Sequence, residues 1–176
     1  MQRRHLLVVG MVALLGLLVA VIVLRPKARE VNGLEGQVVP EFDLQRISAA
    51  GLDPKWTDGT LQHRGKAFLL HFWAPSCEPC REELPIWQEL AHHGQEFTVL
   101  TVAGDESADV AHFLDQHHLT LPTVWDGEGH AHRALKVASI PQTFAISRTG
   151  VIVRDLPGAQ TRDGLLAAVQ AAREAK

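Results

Sequence analysis

The sequence predicts an α/β protein with a central mixed sheet flanked by helices, preceded by an apolar N-terminal segment. Two observations predict the sheet. Apolar runs at Ala67–Trp73 and Phe97–Ala103 are each followed by a segment of helical character, an order that gives parallel strands. Farther along, residues 143–147 and 151–155 flank Arg148-Thr149-Gly150, which is typical of an antiparallel hairpin.

The other elements follow from local signals. Ala67–Trp73 is a nearly continuous apolar run, interrupted by His71, as expected for a strand buried on both faces. Glycines and prolines without periodicity predict mainly loop, with short extended pieces, over residues 48–65. Two further strands are expected, an edge strand at 42–47 and a strand at Thr123–Trp125, the second followed by a turn at Asp126-Gly127. A helix is expected at about 78–91, with Pro79 in its first turn and a kink at Pro85. The other expected helices are 107–118, capped by Ser107, then 129–136 and a closing helix at 161–172.

Residues 6–24 form a stretch of nineteen residues without a charged or strongly polar side chain, long enough to cross a membrane as a helix. The stretch ends in bulky residues followed by Arg25, which does not fit a signal-peptide cleavage site. We therefore expect an uncleaved anchor and linker at residues 1–30 and one folded domain at 31–176. Basic residues flank both ends of the stretch, so orientation follows the default for an N-terminal anchor, with the domain exported.

Charge and histidine content exclude some functions. The formal net charge is −3 and no long basic block occurs, which argues against nucleic acid as a partner. The pairs His92-His93, His117-His118 and His130-Ala131-His132 look like metal ligands, but adjacent helical residues point in different directions. We expect these histidines to be solvated.

The only two cysteines, Cys77 and Cys80, form a Cys-Glu-Pro-Cys motif directly behind the predicted strand. A helix that begins there places the first cysteine at its N-terminus, where free N–H groups and the helix dipole stabilise a thiolate. Cys77 is then the nucleophile and Cys80 the resolving thiol. No nucleotide or metal motif is present, so no cofactor is expected and the pair is itself the redox centre.

Three other roles fit the two cysteines less well. A structural disulfide across four residues contributes only roughly 2 kcal/mol in the loop-entropy model. A structural zinc site needs four ligands and usually a second cysteine or histidine pair at fixed spacing, and the chain has no other cysteine. Covalent haem attachment needs histidine directly after the second cysteine, where Arg81 stands. The competing function is a membrane-anchored copper or zinc binding module that uses the cysteine pair and nearby histidines.

The charges around the motif indicate the direction of electron flow. Glu78 lies inside the motif, Glu82 and Glu83 follow it, and Arg81 opposes them. Acids near Cys77 disfavour the thiolate, and therefore the reduced form, which makes the dithiol a reductant. Glu83 itself has two open roles, a functional acid near the cysteines or an acid favoured at a helix N-terminus.

The order of elements resembles the thioredoxin fold, and its details resemble the membrane-anchored TlpA, ResA and DsbE (CcmG) thiol:disulfide interchange proteins over about residues 36–174. The matching segments are Phe72-Trp73-Ala74, Cys77-Glu78-Pro79-Cys80-Arg81-Glu82-Glu83, Trp125-Asp126-Gly127-Glu128-Gly129 and Ile140-Pro141-Gln142-Thr143-Phe144.

The resemblance implies that Pro141 is a cis proline facing the cysteines, and that the backbone of Ile140 pairs with an extended substrate segment. Glu83 matches a functional acid of the ResA-like members. The resemblance also implies reduction of disulfides outside the bacterial cytoplasmic membrane, often on apocytochrome c, with electrons from a DsbD- or CcdA-like membrane protein.

Three positions depart from the family pattern. Pro75-Ser76 stands where relatives commonly carry tryptophan before the first cysteine, and Gln142 replaces the glutamate of the cytochrome-maturation members. His71 occupies the strand position where thioredoxins carry a buried acid. Two roles are open for His71: an acceptor for the proton of Cys80, or a hydrogen-bonded core histidine.

Overall fold

The computed structural model describes residues 33–92 and 96–175. Seven strands form one mixed sheet in the order β2-β1-β5-β4-β3-β6-β7. The strands are β1 Asp43–Ser48, β2 Gly51–Gly59, β3 Ala67–Trp73, β4 Phe97–Ala103, β5 Thr123–Trp125, β6 Gln142–Ile146 and β7 Ile152–Pro157. The helices are α1 Glu78–His92, α2 Ser107–Gln116, α3 His130–Ala134 and α4 Arg162–Glu174.

The centre of the sheet has the predicted topology. Strand β3 pairs parallel with β4 and antiparallel with β6, and β6 continues into the antiparallel hairpin with β7. All seven residues of β3 are buried, because helices and loops cover both faces of the sheet. Leu69 and Trp73 face one core cluster, whereas Phe68, Leu70 and Phe72 face the other.

Helices α1, α2 and α4 pack on one face of the sheet through the apolar side chains of that core cluster. On the opposite face, Ala131 and Leu135 at α3 pack with Leu34 and Val39 of the N-terminal part of the domain. The helix that follows the cysteine motif is therefore held against the same face as Leu69 and Trp73. The site described below lies on that face.

The N-terminal half of the sheet corrects two expectations. Residues 48–65 are not mainly loop, because Gly51–Gly59 forms β2 and pairs antiparallel with β1. Strand β2 is the edge of the sheet and only two of its nine residues, Asp58 and Gly59, are buried, so it lacks the periodic apolar pattern that would predict it. Strand β1 is not an edge strand, since it lies between β2 and β5.

The first residues of helices α2 and α4 differ in how they are capped. Ser107 is the first residue of α2 and Glu106 occupies the cap position without a side-chain hydrogen bond, so the expected Ser107 cap is wrong. Thr161 caps α4 by accepting a hydrogen bond from the Gly164 amide. Helix α1 continues through Pro85 to His92.

The predicted anchor at residues 6–24 lies outside the described residues. Within residues 33–92 and 96–175, no helix combines the length and apolar character needed to cross a membrane.

Candidate active site

The Cys77–Cys80 pair lies at the junction of β3 and α1, where the sequence predicts it. The chain leaves β3 at Trp73 and turns through Pro75 and Ser76, and α1 begins directly after Cys77. The two cysteines are joined by a disulfide with a Cα–Cα distance of 5.3 Å. The fold thus places the first sulfur at the start of a helix that is anchored in the core.

The two sulfurs have different environments. Cys77 is partly exposed, and its Sγ accepts a hydrogen bond of 3.3 Å from the Cys80 amide at the start of the helix. Cys80 has no exposed surface and packs with the core cluster under α1. An incoming disulfide can therefore reach Cys77 and not Cys80.

Polar contacts fix the turn before the motif. Asp105 Oδ2 accepts a hydrogen bond of 3.1 Å from the Ser76 amide, and Arg81 Nη1 donates one of 2.9 Å to the Pro75 carbonyl. Arg81 is thus held beside the motif, while Glu78 and Glu82 are exposed. The local charge near Cys77 is set by two exposed acids and one fixed guanidinium.

Glu83 behaves differently from the exposed acids. It is 2% exposed, and its Oε2 accepts a hydrogen bond of 2.8 Å from the Gln160 amide. Burial raises the pKa of Glu83 to about 7 and outweighs the lowering effects of that hydrogen bond and of the Trp87 side chain. At neutral pH Glu83 therefore does not carry a full negative charge, and the expected count of three acids against one base reduces to two against one.

The structure brings His71 to Glu83, a pairing that the sequence did not predict. His71 Nε2 on β3 lies 3.3 Å from Glu83 Oε1 on α1. His71 Nδ1 is hydrogen-bonded to Thr143 Oγ1 at 3.0 Å, and the imidazole stacks on Trp87 with ring centroids 4.2 Å apart. Burial lowers the pKa of His71 to about 3, so the imidazole is neutral at neutral pH.

The sequence contains a signal for the proximity of His71 and Glu83, namely the positions of the two residues on their strand and helix. His71 alternates with Leu69 and Trp73 on β3, so all three face α1. Glu83 follows Cys80 by three residues, which puts it on the same face of α1. The two periodicities together place an acid and a histidine in one interface.

The Ile140–Pro141 peptide bond is cis, as the resemblance implies. Ile140 lines a cavity of about 370 Å³ together with Trp73 and Ala74, which directly precede the motif turn. Gln142 is buried and its Nε2 donates a hydrogen bond of 2.7 Å to Asp155. The cavity thus lies beside the start of the turn that leads to the motif and beside Ile140, the predicted substrate-pairing residue.

One histidine expectation is wrong. His132 is half-buried, and both its backbone amide and its Nδ1 donate hydrogen bonds to Asp126 Oδ2, at 2.9 and 2.7 Å. Burial alone would raise the pKa of Asp126, but the hydrogen bonds from His132 hold it below its ordinary value. His132 borders the cavity described above.

The other paired histidines follow the prediction where they are described. His92, His117, His118 and His130 are exposed, and His93 lies outside the described residues. Across the described part of the chain, no group of three or more His, Cys, Asp or Glu side chains is arranged to hold a metal ion.

The fold and this site define the chain as a thioredoxin-like thiol–disulfide oxidoreductase whose redox centre is the Cys77–Cys80 pair. The AhpC/TSA family model matches residues 36–154. The chain is 32% identical over 137 residues to the thiol-disulfide oxidoreductase ResA of Oceanobacillus iheyensis, an alignment that covers 74% of this chain and 68% of ResA.

Two solved structures are also similar. The exposed lipoprotein thioredoxin Etrx1 of Streptococcus pneumoniae matches with a TM-score of 0.65 and 26% identity, covering 74% of this chain and 98% of Etrx1. StoA of Bacillus subtilis matches with a TM-score of 0.61 and 26% identity, covering 74% of this chain and 97% of StoA. The chain belongs to the AhpC/TSA family and is a thiol–disulfide oxidoreductase related to ResA and StoA.

Replacing Glu83 with glutamine is expected to change the pH dependence of stability. The pKa of Glu83 rises from 4.5 to about 7 on folding, so its stabilising contribution is complete below pH 4.5 and is lost as the pH rises to about 7. Glu83→Gln removes that loss. The free energy of unfolding of the variant, relative to that of the unsubstituted protein, should therefore increase by up to about 3 kcal/mol from pH 4.5 to pH 7.5. Denaturant unfolding at both pH values measures this gain. Glu82→Gln, at an exposed position, is the control, and an equal difference at both pH values would contradict the expectation.

Proposed function

We propose that this protein is a membrane-anchored disulfide reductase that acts outside the cytoplasmic membrane through Cys77 and Cys80. The observation that carries the proposal is the asymmetry of the pair: an accessible Cys77 sulfur at the start of a helix and a fully buried Cys80. Exposed Glu78 and Glu82 disfavour the thiolate, in support of the reducing direction.

The reduced protein begins with Cys77 as thiolate and Cys80 as thiol. The Cys77 thiolate attacks a substrate disulfide, a Cys77–substrate disulfide forms, and the first substrate sulfur leaves as a thiolate and takes a proton from water. Cys80 then gives its proton to Glu83 and attacks Cys77 Sγ, which breaks the mixed disulfide. The second substrate sulfur leaves as a thiolate and takes a proton from Glu83 or from water, so that it is released as a thiol. The substrate has gained two electrons, and the protein has the Cys77–Cys80 disulfide.

Glu83 suits the role of proton acceptor for two reasons. It lies one turn after Cys80 on the same face of α1. Its pKa of about 7 leaves a large fraction of the carboxylate ready to accept a proton at neutral pH. We place substrate binding at Ile140 and Pro141, because Ile140 lines the cavity beside the start of the motif turn, where an extended segment can pair with its backbone.

The location and partners are part of the same proposal. Residues 6–24 anchor the chain and the domain at 31–176 is exported, in the periplasm or its equivalent. Electrons then come through a membrane donor of the DsbD or CcdA type, and disulfide-containing proteins, apocytochrome c among them, are the substrates. Intact mass of the membrane-purified protein tests the anchor, and a mature chain beginning after Leu24 would refute it.

Alkylation is expected to distinguish the two thiols. A maleimide added to the reduced protein at neutral pH should modify Cys77 first, since Cys80 has no exposed surface. Mass spectrometry of peptides from timed samples measures the order. A membrane-impermeant maleimide added to intact cells should reach Cys77 as well. Faster modification of Cys80 would reverse the assigned roles, and protection of Cys77 in intact cells would argue against export.

The substrate is identified by trapping. A Cys80→Ser variant retains the nucleophile and lacks the resolving thiol, so it should accumulate mixed disulfides in cells. The control is Cys77→Ser/Cys80→Ser, which has no thiol to trap with. Apocytochromes in the trap support the narrower role, and captured proteins of other kinds support a general reductase. An empty trap, with the variant shown to be exported and folded, counts against the reductase proposal.

A further inference from the structure

We propose that Thr143 and His71 are positioning residues for Glu83: the Thr143 hydroxyl donates to His71 Nδ1, which places the imidazole proton on Nε2, facing the Glu83 carboxylate. Thr143 and His71 are cross-strand neighbours on β6 and β3. The chain of three residues is fully buried, apart from the 2% exposure of Glu83. Its consequence for catalysis rests on the proposed function, whereas the proton arrangement itself does not.

The tautomer of His71 follows from the hydrogen bond that the buried Thr143 hydroxyl has to donate. Among the described residues, the only hydrogen-bond partner of the Thr143 hydroxyl is His71 Nδ1, at 3.0 Å. A buried hydroxyl proton needs an acceptor, so the hydroxyl donates and Nδ1 accepts. A neutral imidazole that accepts at Nδ1 has its proton on Nε2.

That Nε2 proton faces Glu83 Oε1. The two atoms are 3.3 Å apart, and within the described part of the chain neither is aligned with any hydrogen-bond partner. The stack of His71 on Trp87 holds the ring in place. In this low-dielectric interior, an N–H dipole at 3.3 Å favours the ionised carboxyl over the protonated one.

Besides burial, three neighbours of Glu83 can adjust its proton affinity: the Gln160 amide, the Trp87 side chain and His71, of which the first two lower the pKa of Glu83. The segment before α4 contributes the Gln160 amide, which donates to Oε2, and β6 contributes only the uncharged Thr143 through His71. On α1 itself, Cys80 lies one turn earlier and is disulfide-bonded in this state. Burial and His71 thus act on Glu83 in opposite directions.

The expected consequence concerns the second step of exchange. When Cys80 attacks the mixed disulfide, its proton passes to Glu83, which must be ionised to accept it. His71 keeps part of the Glu83 population ionised near pH 7 in spite of burial. Removing the Nε2 proton should therefore move the pH dependence of this step to higher pH.

The test measures the Glu83 carboxyl directly by ¹³C NMR of glutamate-labelled, oxidised full-length protein in detergent, in which neither cysteine titrates. The Glu83 signal is assigned by its loss in Glu83→Gln. His71→Phe keeps a flat ring against Trp87 and removes the donor. It should raise the midpoint by about one pH unit, the lower end of the effect of a hydrogen bond to a charged group, because Nε2 and Oε1 are close but not aligned. Thr143→Val should raise the midpoint by a smaller amount, since the tautomer is no longer fixed.

Thr101→Val is the matched control, because Thr101 is a buried threonine of the same sheet that bonds to Trp73 and Thr123 instead. It should leave the Glu83 midpoint unchanged. An unchanged or lower midpoint in folded His71→Phe, or equal shifts in Thr143→Val and Thr101→Val, would overturn the proposal. Thr143→Val keeps the test decisive if His71→Phe does not fold.

A second readout separates this inference from the proposed function. The decay of a preformed mixed disulfide is followed from pH 5 to 9 in the same variants. A parallel shift of its pH profile supports both the proton chain and the role of Glu83 in exchange. A shift of the NMR midpoint with no shift of the decay profile upholds the positioning of Glu83 and refutes its role as proton acceptor.

Discussion

Cys77→Ser is expected to abolish thiol–disulfide exchange. Cys77 is the sulfur that an incoming disulfide can reach, and Cys80 is fully buried and cannot replace it. A serine hydroxyl at the same position is not ionised at neutral pH and does not attack disulfides. Activity in an insulin-reduction assay should fall to the background rate of the reductant alone.

Two variants serve as controls for this result. Cys80→Ser should still react once with a disulfide and then stall as a mixed disulfide, so its first turnover is retained while steady-state activity is lost. Ser76→Ala removes an exposed neighbouring hydroxyl and leaves the amide contact to Asp105 in place, so it should remain active. Steady-state turnover by Cys77→Ser would show that the nucleophile has been assigned wrongly.

Trp87→Ala is expected to lower the free energy of unfolding by about 3–5 kcal/mol, the cost typical of a large aromatic residue lost from a core. Trp87 has no exposed surface and stacks on His71 with ring centroids 4.2 Å apart. The substitution removes core volume and also the surface that holds the imidazole. Trp87→Phe keeps an aromatic ring and should cost less.

Denaturant unfolding of the oxidised protein measures the loss. Trp56→Ala is a matched control, since Trp56 is 64% exposed on the edge strand β2 and should change stability by no more than about 0.5 kcal/mol. Equal effects of Trp87→Ala and Trp56→Ala would contradict the role given to Trp87 in the core.

The sequence predicts the centre of the fold well, because each central element has its own local signal. Ala67–Trp73 is apolar except for His71, and Phe97–Ala103 is apolar except for two threonines; the strands have those bounds. The edge strand β2 gives no such signal. Its pairing with β1 is made through backbone hydrogen bonds, which do not depend on a side-chain pattern, and only two of its nine residues are buried.

Local sequence by itself determined the redox centre. The strand end, the turn, both cysteines and the start of the helix lie within a few consecutive residues, so chain order alone puts Cys77 at a helix N-terminus and Cys80 in the first turn. The contact of the Cys80 amide with Cys77 Sγ is of the same local kind.

Only the tertiary structure decided what surrounds that centre. His71, Glu83 and Thr143 belong to three different elements, and His71 and Thr143 are separated by 72 positions in the chain. The same holds for Gln160, which reaches Glu83 across 77 positions. Sequence periodicity shows which face of an element is buried, but not which partner it meets there. The pKa values of Glu83 and His71 depend on those partners and on the exclusion of water, so they arise only when the sheet and helices have packed.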